Sequence, residues 1–163
     1  MRELINPYPI RKATKADKKD VVAFYRRHGY SAKFMGFDIC YVIKTKQQII
    51  ASVILSDLEK VHALHSGQES LVPSPQSSLF LHALFVDNEH RNQGFGHSLL
   101  THCANVHHSI VCFADQQLAP FYQQAQFVIT QPHKLNETLQ QRFALYANNQ
   151  PSLRAFSYRS CLS

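Results

Sequence analysis

Between Leu79 and Gly96 the chain reads LFLHALFVDNEHRNQGFG: an apolar run broken by one histidine, a polar stretch, then two glycines. This pattern spells a buried strand, a turn and the start of a helix. A turn of that kind aims successive backbone N–H groups outward at a helix N-terminus, where free donors and the positive end of the helix dipole attract phosphate. Gly94 and Gly96 permit close approach and a positive φ, and Arg91 adds a charge for a phosphate oxygen. The segment therefore predicts a phosphate-bearing cofactor. Neither GxxxxGK[ST] nor GxGxxG is present, since Gly96 is followed by His97, Ser98 and Leu99 with no third glycine. That argues against a P-loop and a dinucleotide fold. What remains is Arg91-Asn92-Gln93-Gly94-Phe95-Gly96, an R-x-x-G-x-G directly after a buried strand.

The elements that must position this segment are given by periodicity and turn chemistry. Ile10–Ala13 predicts a short strand. Thr14 reads as an N-cap with Asp17 three residues on, a capping-box variant. Lys15–Arg27 predicts a helix with Val21, Phe24, Tyr25 and His28 on one side, ended by Gly29. Phe37–Lys44 and Gln48–Ser56 predict two strands joined by a polar turn at 45–47. Leu79–Val86 is apolar in both parities, as a strand buried on both faces would be. Gly94–Val106 predicts a helix with an apolar stripe of Leu99, Leu100, Cys103 and Ala104. Then come a buried strand at Ser109–Ala114, a short helix at Leu118–Ala125 and a strand at Phe127–Thr130. A helix at Asn136–Asn148 with Leu139, Phe143 and Tyr146 inward precedes a last strand at Leu153–Tyr158. This order predicts α/β (α+β), a sheet with helices on both sides. The last helix and strand either complete the sheet or pack across a dimer.

The chain is 163 residues long, 45% apolar and 17% charged, which is globular in composition and excludes disordered and collagen-like classes. A single domain of this length, spanning 1–163, buries roughly 70% of its unfolded surface and needs no disulfide or metal. Met1–Lys12 lacks a signal-peptide core and no apolar run spans a bilayer, so a cytoplasmic location is expected. Cys40, Cys103, Cys112 and Cys161 fit no zinc template; Cys103 and His107 alone are too few for a metal site, and no metal is expected. The net charge of +6 invites an anionic partner. The charge is scattered, densest from Arg11 to Lys19, so a solvated helix face is favoured over nucleic-acid binding. The stretch Asp57–Ser78 reads as a long connection, a candidate lid over an acceptor site.

R-x-x-G-x-G after such a strand resembles the acetyl-CoA pyrophosphate loop of the GNAT N-acetyltransferases. The resemblance covers the element order from Ile10 to about Thr130. It is specific over Leu81–Leu100 and Leu118–Phe127, whose LAPFYQQAQF is similar to the family's Ф-x-x-F-Y-x-x-x-G-F signature. Gln126 stands where the glycine usually does. Within the family, the strand Leu81-His82-Ala83-Leu84-Phe85-Val86, the loop Arg91–Gly96 and the helix Pro120-Phe121-Tyr122 resemble those of arylalkylamine (serotonin) N-acetyltransferases. Phe80 departs from their second histidine, and the N-terminal region is shorter and lacks their amine-pocket sequence.

The resemblance implies a GNAT fold, with a mostly antiparallel mixed sheet, and acetyl-CoA as co-substrate. An acceptor amine must lose a proton to attack, and the leaving thiolate gains from one. His82, the one polar side chain in its strand, suits the first task; a core histidine satisfied by one hydrogen bond is the plain alternative. Tyr122 suits the second, as the family's acid on this helix; the plain alternative is a packing tyrosine. Backbone N–H groups from Gln93, Gly94, Phe95 and Gly96, with Arg91 and Asn92 beside them, would hold the pyrophosphate. Leu84, Phe85 and Val86 would pair with pantetheine as an added strand does, and their N–H groups would polarise the thioester carbonyl.

The expected function is N-acetylation of a small, arylalkyl-type primary amine by direct attack in a ternary complex, without an acetyl-cysteine on Cys40 or Cys112. Phe34, Phe37, Tyr41 and Phe80 are candidates to line the amine pocket, with core packing as their default use. His62 and His65 are candidates to border the acceptor site; His97, His102, His107 and His108 read as surface residues. Asp115 reads as a loop cap. A monomer or homodimer is expected. The rival readings are a protein or peptide N-acetyltransferase and a non-catalytic acyl-CoA-binding or nucleic-acid-associated module.

Overall fold

The computed structural model describes residues 8–32, 34, 37–46, 48–60 and 78–160. Met1–Pro7, His62, His65, most of the 57–78 connection and Cys161, for which expectations are given above, lie outside the described residues. Among the described residues seven strands form one sheet: β1 (Ile10–Lys12), β2 (Ile39–Thr45), β3 (Gln48–Ser56), β4 (Leu79–Val86), β5 (Ser109–Asp115), β6 (Val128–Thr130) and β7 (Leu153–Arg159). Among the described residues four helices of defined extent accompany them: α1 (Lys18–Arg27), α2 (Phe95–Val106), α3 (Ala119–Gln124) and α4 (Glu137–Ala147). The sheet order is β1-β2-β3-β4-β5-β7-β6. The pair β4–β5 is parallel, while β1–β2, β5–β7 and β6–β7 are antiparallel. This is the mixed α/β class that the element order predicts. β7 lies between β5 and β6, so the last strand completes the sheet.

The chain divides into two compact units, Met1–Ile54 with Ala83–His102, and Leu55–His82 with Cys103–Ser163. In the first, Thr14 N–H donates to Asp17 Oδ2 at 2.8 Å, the reciprocal half of a capping box. The predicted helix starts as a 3-10 turn at Lys15–Asp17 and becomes α-helical from Lys18. Asp17 also pairs with Arg11 at 2.8 Å and Lys44 at 3.5 Å, tying the cap to β1 and β2. Val21, Phe24 and Tyr25 bury one side of α1 in a cluster with Cys40, Val42, Ile49, Ile54 and Ala83. The helix ends on Gly29 at φ +71, with Gly29 N–H donating to Arg26 O and Tyr30 N–H to Tyr25 O. That is the Schellman pattern, which needs a left-handed residue at this position.

In the second unit, Leu58, Phe80, Val111, Leu135, Leu139 and Ala155 form the core cluster. α3 closes with the same two bonds as α1: Gln126 N–H donates to Gln123 O and Phe127 N–H to Tyr122 O. Here the left-handed residue is Gln126, at φ +72. Asn136 caps α4 by accepting Leu139 N–H at 2.9 Å. One inward assignment on α4 is corrected. Tyr146 is 45% exposed, because the helix turns that position outward after Phe143 and leaves only a ring edge on Phe113.

Candidate active site

The first unit carries the loop and the end of the strand that leads into it. Asp87 N–H donates to Ile50 O at 2.7 Å, and the Asp87 carboxylate accepts Glu89 N–H at 3.0 Å to start a 3-10 turn at Asn88–His90. Asn92 and Gly94 then take left-handed backbone, at φ +63 and +86. The residue types alone assign that freedom to Gly94 and Gly96. Gly96 instead lies in the first turn of α2, and Asn92 is the second left-handed residue, a role its short amide side chain tolerates. A Cβ added at Gly94 would meet nothing within 4 Å, so the loop faces open space there. Phe95 is buried and fixes the start of α2, while Gln93 and Gly94 are exposed. The first N–H groups of a helix have no carbonyl a turn behind them, so this end of α2 offers donors.

Arg91 is exposed. Its Nε donates to Val86 O at 3.3 Å and its guanidinium lies over the Phe85 ring at 5.2 Å. Phe85 is further held by the rings of His28 at 5.1 Å and Phe24 at 6.0 Å. Leu84, Phe85 and Val86 are all half-buried. One feature of β4 has no signal in the residue types: Ala83 sits at φ +55. A left-handed alanine inside a strand marks a bulge, which bends the strand and re-aims the residues beyond it.

The second unit carries His82 and Tyr122. His82 is half-buried, its Nε2 2.7 Å from Ser56 Oγ and its ring stacked on Phe80 at 5.5 Å. Ser56 is buried at the end of β3. Sequence reasoning misses it, because a serine closing an apolar strand looks like any strand end. Tyr122 is 6% exposed and its ring stacks on Phe156 at 4.8 Å. Its hydroxyl donates to the Cys112 thiol, and burial pushes the phenol pKa well up. Cys112 is registered on Leu81 in the β4–β5 ladder. The fold thus brings Tyr122 to the strand position opposite the residue before His82.

The thiols themselves are poor nucleophiles. Burial raises Cys112 far above the ordinary thiol range and Cys40 to about 11. Among the aromatic candidates, Tyr41 is buried against His102 at 4.6 Å and Phe80 is packed on Phe113 at 4.9 Å. Phe34 packs on the α1 cluster. These three take their default use in the core, and Phe37 is half-buried just before β2. His97, His102 and His107 are half-buried, which corrects their reading as surface residues; His108 is exposed. The His102 ring meets the Tyr41 ring edge-on, and burial lowers the His102 pKa. Asp115 is a loop cap, accepting Gln117 N–H at 2.9 Å and the Ser152 hydroxyl at 2.5 Å. Among the described residues no three metal-ligating side chains converge, and no helix is long and apolar enough to cross a membrane.

Known proteins share this fold. The family model described as acetyltransferase (GNAT) domain matches residues 36–129. A search of the curated proteins finds no match. Among solved structures, N-acetylglutamate synthase from Neisseria gonorrhoeae, complexed with coenzyme A and N-acetyl-glutamate, is similar at 12% identity and a TM-score of 0.64. The match covers 93% of this chain and 35% of that one, so the chain spans about a third of the synthase. The ribosomal-protein-S18-alanine N-acetyltransferase from Escherichia coli matches at 10% identity and TM-score 0.61, covering 96% of each chain. A spermidine N-acetyltransferase chimera from Vibrio cholerae and hSSAT matches at 11% identity and TM-score 0.59, covering 93% of this chain and 96% of that one. At these identities the likeness is one of fold.

Proposed function

The chain belongs to the GNAT acetyltransferases, and from that premise we propose that it N-acetylates a small primary amine of the arylalkylamine kind, using acetyl-CoA, with residues 1–163 acting as one domain. The observation that carries this reading is one strand–loop–helix segment holding His82, the loop Arg91–Gly96 and the free start of α2. The loop suits a pyrophosphate. Two left-handed residues turn the backbone, open space stands over Gly94, and Arg91 is exposed beside it. Leu84, Phe85 and Val86 would pair with pantetheine through main-chain groups.

Acetyl-CoA supplies an acetyl group activated as a thioester. The chain's own residues manage protons. His82, held by Ser56 and by stacking on Phe80, takes the proton that the acceptor ammonium must lose. Tyr122 gives a proton to the departing sulfur. Its phenol stays protonated at neutral pH because burial disfavours the anion, and it already donates to a sulfur, that of Cys112. The raised thiol pKa values of Cys40 and Cys112 support direct attack by the amine over an acetyl-cysteine.

The test is thiol release from acetyl-CoA with tryptamine, phenethylamine, spermidine and short peptides as acceptors. Turnover on the aromatic amines is expected. Turnover confined to spermidine or peptides overturns the acceptor class, and failure to bind acetyl-CoA overturns the reading of the loop.

A further inference from the structure

Within the first unit a chain of polar groups crosses an otherwise apolar core. Tyr25, on α1, is 1% exposed, and its hydroxyl donates to the Ala83 carbonyl at 2.6 Å. The Ser52 hydroxyl, from β3, also hydrogen-bonds to the Tyr25 oxygen and lies 3.4 Å from Cys40 Sγ on β2. Val21, Phe24, Val42 and Ile54 pack around these groups. Buried polar groups are costly unless satisfied, and a satisfied network fixes one arrangement of the backbone it touches.

The network touches the strained point of β4. Ala83 has a Cβ, so its left-handed backbone is unfavourable on its own and persists only where the surroundings over-determine it. The ladder with β5 runs from Leu79↔Ile110 to Leu81↔Cys112. Leu84, Phe85 and Val86 come after the bulge, and Phe85 is held in turn by Phe24, His28 and Arg91. The Tyr25 bond thus sits between the half of β4 laddered to β5 and the half assigned to the pantetheine edge.

We propose that Tyr25 is a positioning residue for acetyl-CoA: its hydroxyl holds the Ala83 carbonyl in the left-handed bulge and so aims the main chain of Leu84–Val86 at the cofactor. The residue acts through the backbone and touches no reacting atom. Burial keeps the phenol protonated, so it is a donor at neutral pH. The inference rests on the proposed role of Leu84–Val86 as a strand edge for the cofactor.

The test is Tyr25→Phe, alone and combined with Ala83→Gly, in the full chain. Glycine adopts the left-handed backbone without strain, so it removes the need for the clamp without restoring the hydrogen bond. In Tyr25→Phe the Kd for acetyl-CoA, measured by calorimetry, rises about tenfold, the usual scale for one well-placed hydrogen bond, while KM for the amine stays unchanged. The double variant returns to within about threefold of wild type. A role confined to stability would lower the melting temperature of both variants and leave the Kd unmoved. The amide resonances of Leu84, Phe85 and Val86, recorded without cofactor, move in Tyr25→Phe and return in the double variant. If the single variant does not fold, the double variant carries the test, and its failure to fold or to bind acetyl-CoA overturns the inference. Unchanged affinity in a folded Tyr25→Phe, or no rescue by glycine, also overturns it and leaves the proposed function standing. Wild-type protein that does not bind acetyl-CoA overturns both.

Discussion

At the scale of single residues, the two side chains proposed to handle protons are each held by a neighbour that has no motif. Ser56 holds His82 and Cys112 accepts from Tyr122. General acid–base catalysis contributes about 10²–10⁴-fold, so His82→Gln should lower kcat/KM by at least about a hundredfold. Ser56→Ala should lower it by about three- to tenfold, because the ring stays but loses its orientation. Steady-state kinetics on the best amine checks both, and equal activity of His82→Gln and wild type would return His82 to the core-histidine reading. Tyr122→Phe should lower kcat by at least about tenfold with the Kd for acetyl-CoA nearly constant. A parallel loss of cofactor affinity in that variant would assign Tyr122 to packing. His82 and the R-x-x-G-x-G loop are legible in the sequence because their residue types carry the proposed chemistry. Ser56 and Cys112 are not, because their contribution is an accident of which strands become neighbours.

At the scale of elements, the two Schellman ends make a controlled comparison within one molecule. α1 places Gly29 at the left-handed position and α3 places Gln126 there. A side chain costs roughly 1–2 kcal/mol in that conformation, while glycine gives back roughly 0.5–1 kcal/mol in chain entropy. Gln126→Gly should therefore stabilise the protein by about 0.5–1 kcal/mol, read from urea unfolding, and destabilisation would mean that the Gln126 side chain makes a compensating contact. The family signature places glycine at this position, and the backbone supplies the physical reason. The α1 cap makes a pH-dependent prediction. The Thr14 backbone N–H, then its hydroxyl, Arg11 and Lys44 hold the Asp17 carboxyl below its ordinary 3.8, against burial, which pushes it up. A lowered folded pKa means stability that is present above the unfolded value and lost as pH falls through the folded one. Asp17→Asn should cost about 1–2 kcal/mol at neutral pH. That difference should hold down to about pH 5 and shrink below about 3.8. Denaturant titrations at several pH values check it; a gap independent of pH would assign the cost to shape alone.

At the scale of the whole molecule, 17 basic residues against 11 acidic ones leave a net charge of +6 with no dense patch. A diffuse positive field attracts a phosphate-rich ligand and is screened by salt, with a Debye length of about 8 Å at physiological ionic strength. The association rate of acetyl-CoA, by stopped flow, should fall several-fold between about 20 and 300 mM salt while the dissociation rate changes little. A rate independent of salt would confine the attraction to the short-range contacts of the loop. Tight RNA binding with a steep salt dependence would instead favour the nucleic-acid reading.

The sequence by itself determines what is local. Strand and helix positions are set by periodicity, caps by Thr14 and Gly29, and the loop by Arg91–Gly96, because each depends on residues within one or two turns of each other. The mixed α/β class is implied by their order. Only the tertiary structure decides what depends on distant pairs. Tyr25 meets Ala83 across 58 positions and Ser56 meets His82 across 26. β7 enters between β5 and β6, out of chain order. The left-handed alanine in β4 belongs to the same class: alanine is a residue without a preference for that backbone, and its conformation is imposed by partners that arrive from elsewhere in the chain.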